Sequence, residues 1–380
     1  MRNSYLPLIS IFFVFTLHAQ VREEVYHSYF LEQDRELMYY VPEDYNPERE
    51  YPLILVLDAE YLFELVVANT RFYHRNYRMP QAIVVGVRQG TFDLRWYDCD
   101  YEQDNGLPTN RSMAFYDFLQ RELLPKVEES FSISDFKMFV GYDITANFGN
   151  YFLFEDRSPF RSYLIVSPLL AEGMDERIPS RLSALDQPID YHLILERDRA
   201  EGRNSILQLN NGIRAVEKES LNYSFDEYDY ADHVSVVTYG IGKAFDEIFR
   251  DYRPITQEEF EEEVMNMEMP VYTYLSDKYD RIERLLGYRK DYDLRDIMYI
   301  YMASKERQDV ESLKFLHKEV KKNFPDTMMA DYIEGELYEI DGQTRKALKA
   351  FGRAFMQDEI SYFTRERASD KIAALRDDME

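Results

Sequence analysis

Cysteine is almost absent: Cys99 is the only one in 380 residues. No intramolecular disulfide can form, so stability must come from the packed core. Positive charge is scarce as well. Lys and Arg number 45 against 71 Asp and Glu, a formal net charge of −26. So acidic a surface repels a phosphate backbone and the anionic face of a bilayer, which argues against nucleic acid as a partner. After residue 20 no apolar run is long enough to span a membrane, so no transmembrane segment is expected. The His residues show no ligand spacing, and no Gly-rich phosphate loop occurs. No metal and no cofactor are therefore expected.

What is present points to a folded, exported chain. Hydrophobic residues make up 45% and aromatics 15%, too rich in large apolar groups for a disordered polymer. The length suffices for two domains with sizeable cores. "MRNSYLPLISIFFVFTLHAQ" opens with one Arg, continues through an apolar run from Leu6 to Leu17, and closes near a small residue, Ala19. That is the pattern of a secretory signal peptide over residues 1–19. No Cys follows the run, so no lipoprotein anchor is expected. The localisation implied is export, with a bacterial periplasm as the expected destination.

Short apolar runs then alternate with helical patterns. The strand candidates are 52–58, 82–87, 136–141, 162–168, 191–196 and 223–230. The early ones are continuous rather than alternating, which suits central strands covered on both faces. Helical spacing appears at 112–131, 205–220 and 234–249. The segment 25–42 reads as an edge β-hairpin. This alternation predicts an α/β fold with a doubly wound, mostly parallel sheet. Pro254 and the Glu run after it mark a change, and from there on only helical patterns recur. The expected division is a sheet domain at 20–253 and an all-α domain at 256–380. Residues 330–359 resemble one tetratricopeptide repeat: helix, Gly turn, then helix, with small residues at Gly335, Gly342, Ala347 and Ala354. Residues 296–326 read as a degenerate preceding unit.

The chemistry concentrates at "FVGYDITANFGN", 139–150, a strand running into a helix. A nucleophile elbow needs that context, with small residues two positions before and two after the central one. Gly141 meets the first need. Thr145 stands at the second position, and a β-branched side chain there is expected to relax or reshape the turn. Asp143 occupies the centre.

The chain from about 25 to 250 resembles the putative-esterase family of α/β-hydrolases, which includes enterochelin esterases and esterase D. "YVPEDYNPEREYPLILVLDAEYLF" (40–63), "IVVGV" (83–87) with Arg95 and Asp98, "FLQRELLPKVEESF" (118–131), "IVSPLL" (165–170) and "DHVSVV" (232–237) carry the likeness. It implies a Ser nucleophile, a His base and an acid. By position these fall on Asp143, His233, and Glu196 or Asp198. It also implies an oxyanion region at Ala59 and Ile144. Serine is thus replaced, and the family's shaping glycines are Ala59, Thr145 and Val234. An Asp nucleophile would serve epoxides or haloalkanes, but on an ordinary ester it would yield an anhydride. A second carboxylate beside it would also favour a protonated, non-basic His233. The expected function is therefore a catalytically degenerate esterase-fold protein that acts through an unidentified protein partner in the envelope. The alternative is an active hydrolase of esters, epoxides or haloalkanes.

Overall fold

The computed structural model describes residues 21–90, 92–199 and 201–377. The expected leader lies outside them. Eight strands form one sheet: β1 Val21–Ser28, β2 Gln33–Tyr40, β3 Tyr51–Val56, β4 Ile83–Val87, β5 Ile133–Tyr142, β6 Ser162–Val166, β7 Ile189–Glu196 and β8 Leu221–Tyr228. Their spatial order is β1-β2-β4-β3-β5-β6-β7-β8. The hairpin β1–β2 joins β4 antiparallel, and every later pairing is parallel. This is the expected doubly wound sheet with its antiparallel edge.

The continuous apolar runs now have their cause. On β3, Ile54 and Val56 enter the core on one side of the sheet, while Leu53 and Leu55 enter the core on the other. Both faces are dry, so the strand cannot alternate with polar residues. The helices around the sheet are α1 Ala59–Arg75, α2 Phe92–Cys99, α3 Asn110–Asp117, α4 Leu124–Ser130, α5 Ile144–Gly149, α6 Met174–Ala184, α7 Arg203–Arg214 and α8 Ser235–Ile248. A π-helical turn, Phe118–Leu123, joins α3 to α4 just before Pro125. The ring of Pro125 cannot accept a regular turn behind it, and the wider turn takes up the misfit. Helix α7 stops at Arg214 rather than running to 220. The turn that follows is anchored by Lys218, whose ammonium donates to the carbonyls of Ser183 and Leu185.

From Gln257 the chain is helical: α9 Gln257–Glu259, α10 Tyr272–Leu286, α11 Leu294–Glu306, α12 Val310–Asn323, α13 Met329–Ile340, α14 Thr344–Phe355 and α15 Arg365–Asp377. Consecutive helices from α10 onward pack against each other. Helices α13 and α14 meet across Gly342 (φ 67°), with Gly335 leaving room for the Phe351 ring. This unit has no separate core. Ile255, Val264, Val271 and Leu275 belong to the same apolar cluster as Val236, Ile241 and the β5 residues Phe136 and Met138.

The join lies at the N-terminal ends of the parallel strands. Arg161, just before β6, donates to the carbonyls of Arg284 (2.7 Å) and Leu285 at the end of α10. Lys290 donates to Tyr252 O at 2.7 Å. The buried Asp296 carboxylate accepts from Ile255 N–H (2.6 Å) and from the Tyr279 hydroxyl. The carboxyl ends of the strands, where an open α/β sheet places its ligands, are left to the sheet unit alone.

Candidate functional site

Three adjacent parallel strands end in non-glycine residues of positive φ: Asp58 (51°) after β3, Asp143 (56°) after β5 and Ser167 (45°) after β6. Asp143 is strained, because its ψ of −117° lies outside the left-handed basin. Its backbone is held in place by its neighbours. Its N–H donates to Val166 O, and its carbonyl accepts from Asn147 and Leu169. Gly141 is required beneath: a Cβ there would sit 2.8 Å from Thr145 O and 2.9 Å from Ala146 Cα.

The expectation that Thr145 relaxes this turn is wrong. Thr145 is fully buried, and its hydroxyl accepts from Tyr142 N–H (2.9 Å) while donating to Asp58 Oδ2 (2.6 Å). Its oxygen ties the elbow to the β3 turn. The two other replaced glycines do not distort the site either. Ala59 is buried with its Cβ facing Gly86 on β4, where a second Cβ would come within 2.9 Å. Val234 adopts ordinary helical angles and is 77% exposed, so it fills nothing.

The structure brings Asp143, His233 and Glu196 together. His233 Nδ1 lies 2.9 Å from Glu196 Oε1, and Nε2 faces Asp143 Oδ1 at 4.0 Å. Asp198 is not part of this group and is exposed. Burial alone would raise the Glu196 carboxyl, but hydrogen bonds from His233 and Ser167 outweigh it and hold it down at about 2. Glu196 is therefore a carboxylate, held against His233 Nδ1, which Ser167 Oγ and Arg199 Nη1 also approach at 3.2 Å. The Tyr142 ring packs on the imidazole, and its hydroxyl donates to His233 O at 2.7 Å.

Two arginines complete the site. Arg95 donates through Nε and Nη2 to Asp58 (2.5 and 3.1 Å), through Nη1 to Asp143 Oδ2 (3.1 Å), and through Nη2 to Tyr142 O (2.6 Å). Arg199 reaches Asp143 Oδ1 at 3.4 Å, Glu196 Oε1 at 3.4 Å and the Ser167 hydroxyl at 2.6 Å. The sequence reading assigned Arg95 only to the family pattern and did not find Arg199 at all. Its one signal was the position three residues after Glu196, in "ERDR". With both guanidiniums present, the second negative charge at Asp143 is compensated.

A cavity of about 220 Å³ opens here. Asp58, Glu60, Tyr61, Gln89, Gly90, Arg95, Tyr142, Asp143 and His233 line it. The lining includes neither Ala59 nor Ile144, the two residues expected to supply the oxyanion N–H groups. Among the described residues no cluster of His, Cys, Asp or Glu could hold a metal ion, and no helix is long and apolar enough to cross a membrane.

Comparison with known proteins agrees with the sheet. The family described as "Putative esterase" matches residues 28–143. An uncharacterised protein from Capnocytophaga ochracea is similar over 94% of this chain and 100% of its own, at 30% identity and a TM-score of 0.86. An IroE-like serine hydrolase from Shewanella oneidensis is 17% identical over 80% of this chain and 99% of its own, with a TM-score of 0.60. The BES protein from Bacillus cereus is 19% identical over 64% of this chain and 98% of its own, with a TM-score of 0.53. The last two share the fold. No curated protein matches the sequence.

Proposed function

The chain belongs to the putative-esterase family of α/β-hydrolases, and from that premise we propose that it is an exported, catalytically silent member acting through protein contact in the cell envelope. One observation carries the silence: both oxygens of the elbow carboxylate are held by guanidiniums, Oδ2 by Arg95 and Oδ1 by Arg199. Charge-assisted pairing stabilises the carboxylate charge that attack on a substrate would have to spend. Export rests on the N-terminal pattern of residues 1–19. Protein contact rests on the tetratricopeptide-like helix pairs, a module type that presents extended binding surfaces.

The test has two arms. The purified chain, assayed on short acyl esters, epoxides and haloalkanes, should show no turnover above buffer. Capture from the native envelope should recover a protein partner. Turnover abolished by Asp143→Asn or His233→Ala would overturn the reading. So would recovery of the chain always alone. A second reading has its own support in the intact His233–Glu196 pair, which would activate water against an ester formed on Asp143. The same variants decide between them.

A further inference from the structure

We propose that the open carboxyl end of the sheet is a docking face for a Lys- and Arg-rich segment of a partner protein. The inference rests on the protein-contact part of the proposed function and names a surface that the helix pairs do not supply.

The topology gathers this face. The helical unit closes the N-terminal ends of the parallel strands, and the loops leaving their carboxyl ends stay uncovered. Those loops hold large apolar side chains in water. Tyr61 follows β3, Tyr97 and Leu107 follow β4, and Tyr230 and Val234 follow β8, each more than half exposed. They stand round one opening. Tyr61 lines the cavity above Asp143, and so do Arg95 and His233, with Tyr97 two residues beyond the one and Val234 next to the other. The loop bearing Leu107 lies on the turn after β6, where a Cβ on Gly106 would stand 2.4 Å from Glu172 O. Single exposed apolar residues are ordinary, but a group of them on one face with a polar surround marks a contact surface. Tyr is the residue type such surfaces favour.

Charge names the occupant. The face is built from residues 58–61, 88–109, 167–173, 197–202 and 229–234. Among their described residues nine carboxylates are exposed against one cation, Arg197, which is itself paired with Asp229 at 2.7 Å. Arg95 and Arg199 are already engaged by Asp58, Asp143 and Glu196. A second copy of the chain would set like charge against like, so the face does not pair with itself. Nucleic acid and anionic lipid are repelled for the same reason. A basic protein segment answers both features at once. Its charged heads meet the carboxylates, while its aliphatic stems and guanidinium planes lie on the tyrosine rings.

The test uses the full chain. A protein cross-linked to it in the native envelope is identified, purified and titrated by calorimetry against wild type and three variants. Tyr61→Ser/Tyr230→Ser/Val234→Ser strips the apolar part of the face. Glu102→Lys/Glu201→Lys reverses charge in its exposed loops. Met302→Ser/Met356→Ser changes exposed positions of the helical unit instead. The first two variants should bind about tenfold more weakly or worse, and the third should match wild type. Affinity should fall as salt rises, and the cross-linked segment of the partner should be rich in Lys and Arg. Should the first variant fail to fold, the second carries the same expectation. Binding lost only in the helical-unit variant overturns the docking face and leaves the protein-contact reading standing. A cross-linked segment without a basic excess, or a charge-reversed variant that binds as wild type does, overturns the basic partner. Recovery of the chain always alone overturns both the face and the reading it rests on.

Discussion

Thr145 carries two hydrogen bonds that a valine of nearly the same shape would drop. Thr145→Val leaves the Tyr142 N–H without this acceptor and the buried Asp58 without one donor. An unsatisfied buried group costs about 1–3 kcal/mol. Chemical denaturation should show that loss, with Thr145→Ser close to wild type. A Thr145→Val variant as stable as wild type, with Thr145→Ser the weakened one, would mean that the branched carbon, not the oxygen, holds the turn. Gly141→Ala tests the same elbow from the strand side. The added Cβ would meet backbone at 2.8 and 2.9 Å, and backbone cannot swing away as a side chain can. Overpacking of this kind costs about 1–3 kcal/mol. The elbow was legible at this scale because its glycine and its strand-to-helix junction are local. The clamp on Asp143 was not, because Arg95 and Arg199 lie 48 and 56 residues away along the chain.

Elements meet where Arg161 reaches the last turn of α10. The final carbonyls of a helix have no partners of their own, and Arg284 O and Leu285 O find theirs in this guanidinium. Arg161 is also paired with Asp135 on β5. Gly287 ends the helix at φ 82°, with Asp135 Cβ only 2.6 Å from where a Cβ would stand. Arg161→Ala should therefore loosen α10 at its C-terminal end, with faster amide exchange at Leu285–Gly287 and little change in α14. Hydrogen bonds to a charged group are worth about 1.5–3 kcal/mol. Unchanged exchange at α10 would show that the apolar contact alone secures the join. The helices themselves could be read from their spacing, and so could the Gly342 turn. Which end of the sheet they would cover could not, since that depends on surfaces far apart in the chain.

Across the whole molecule, the shared core makes the helical unit a structural partner of the sheet. A chain ending at residue 253 would take α10 off β5, where Val271 and Leu275 now belong to the same cluster as Phe136 and Met138. Such a truncation is expected to aggregate or lose cooperative unfolding. A soluble, cooperatively folding product would show that the two units are separable. Acid stability is a second property at this scale. Burial, with the Arg250 charge as a lesser cause, holds His192 down at about 3 against an ordinary 6.5. The folded state thus keeps the ring neutral while the unfolded chain takes up a proton, so stability is lost as pH falls from about 6.5 toward 3. His192→Gln lacks this proton uptake. The stability difference, wild type minus variant, should therefore fall on acidification through that window. A difference independent of pH would overturn the assignment.

The sequence alone determined the doubly wound sheet, because strands dry on both faces must be written as unbroken apolar runs. It also determined that Asp143 stands at the elbow, because the small residue and the helix start lie beside it. Only the tertiary structure decided between Glu196 and Asp198: β7 ends at Glu196, on His233, while Asp198 lies two residues on and exposed. It alone showed Ala59 facing Gly86, where a second Cβ would come within 2.9 Å. And it alone placed two guanidiniums on one carboxylate, since a counter-ion is chosen by distance in space and leaves no spacing in the chain to be read.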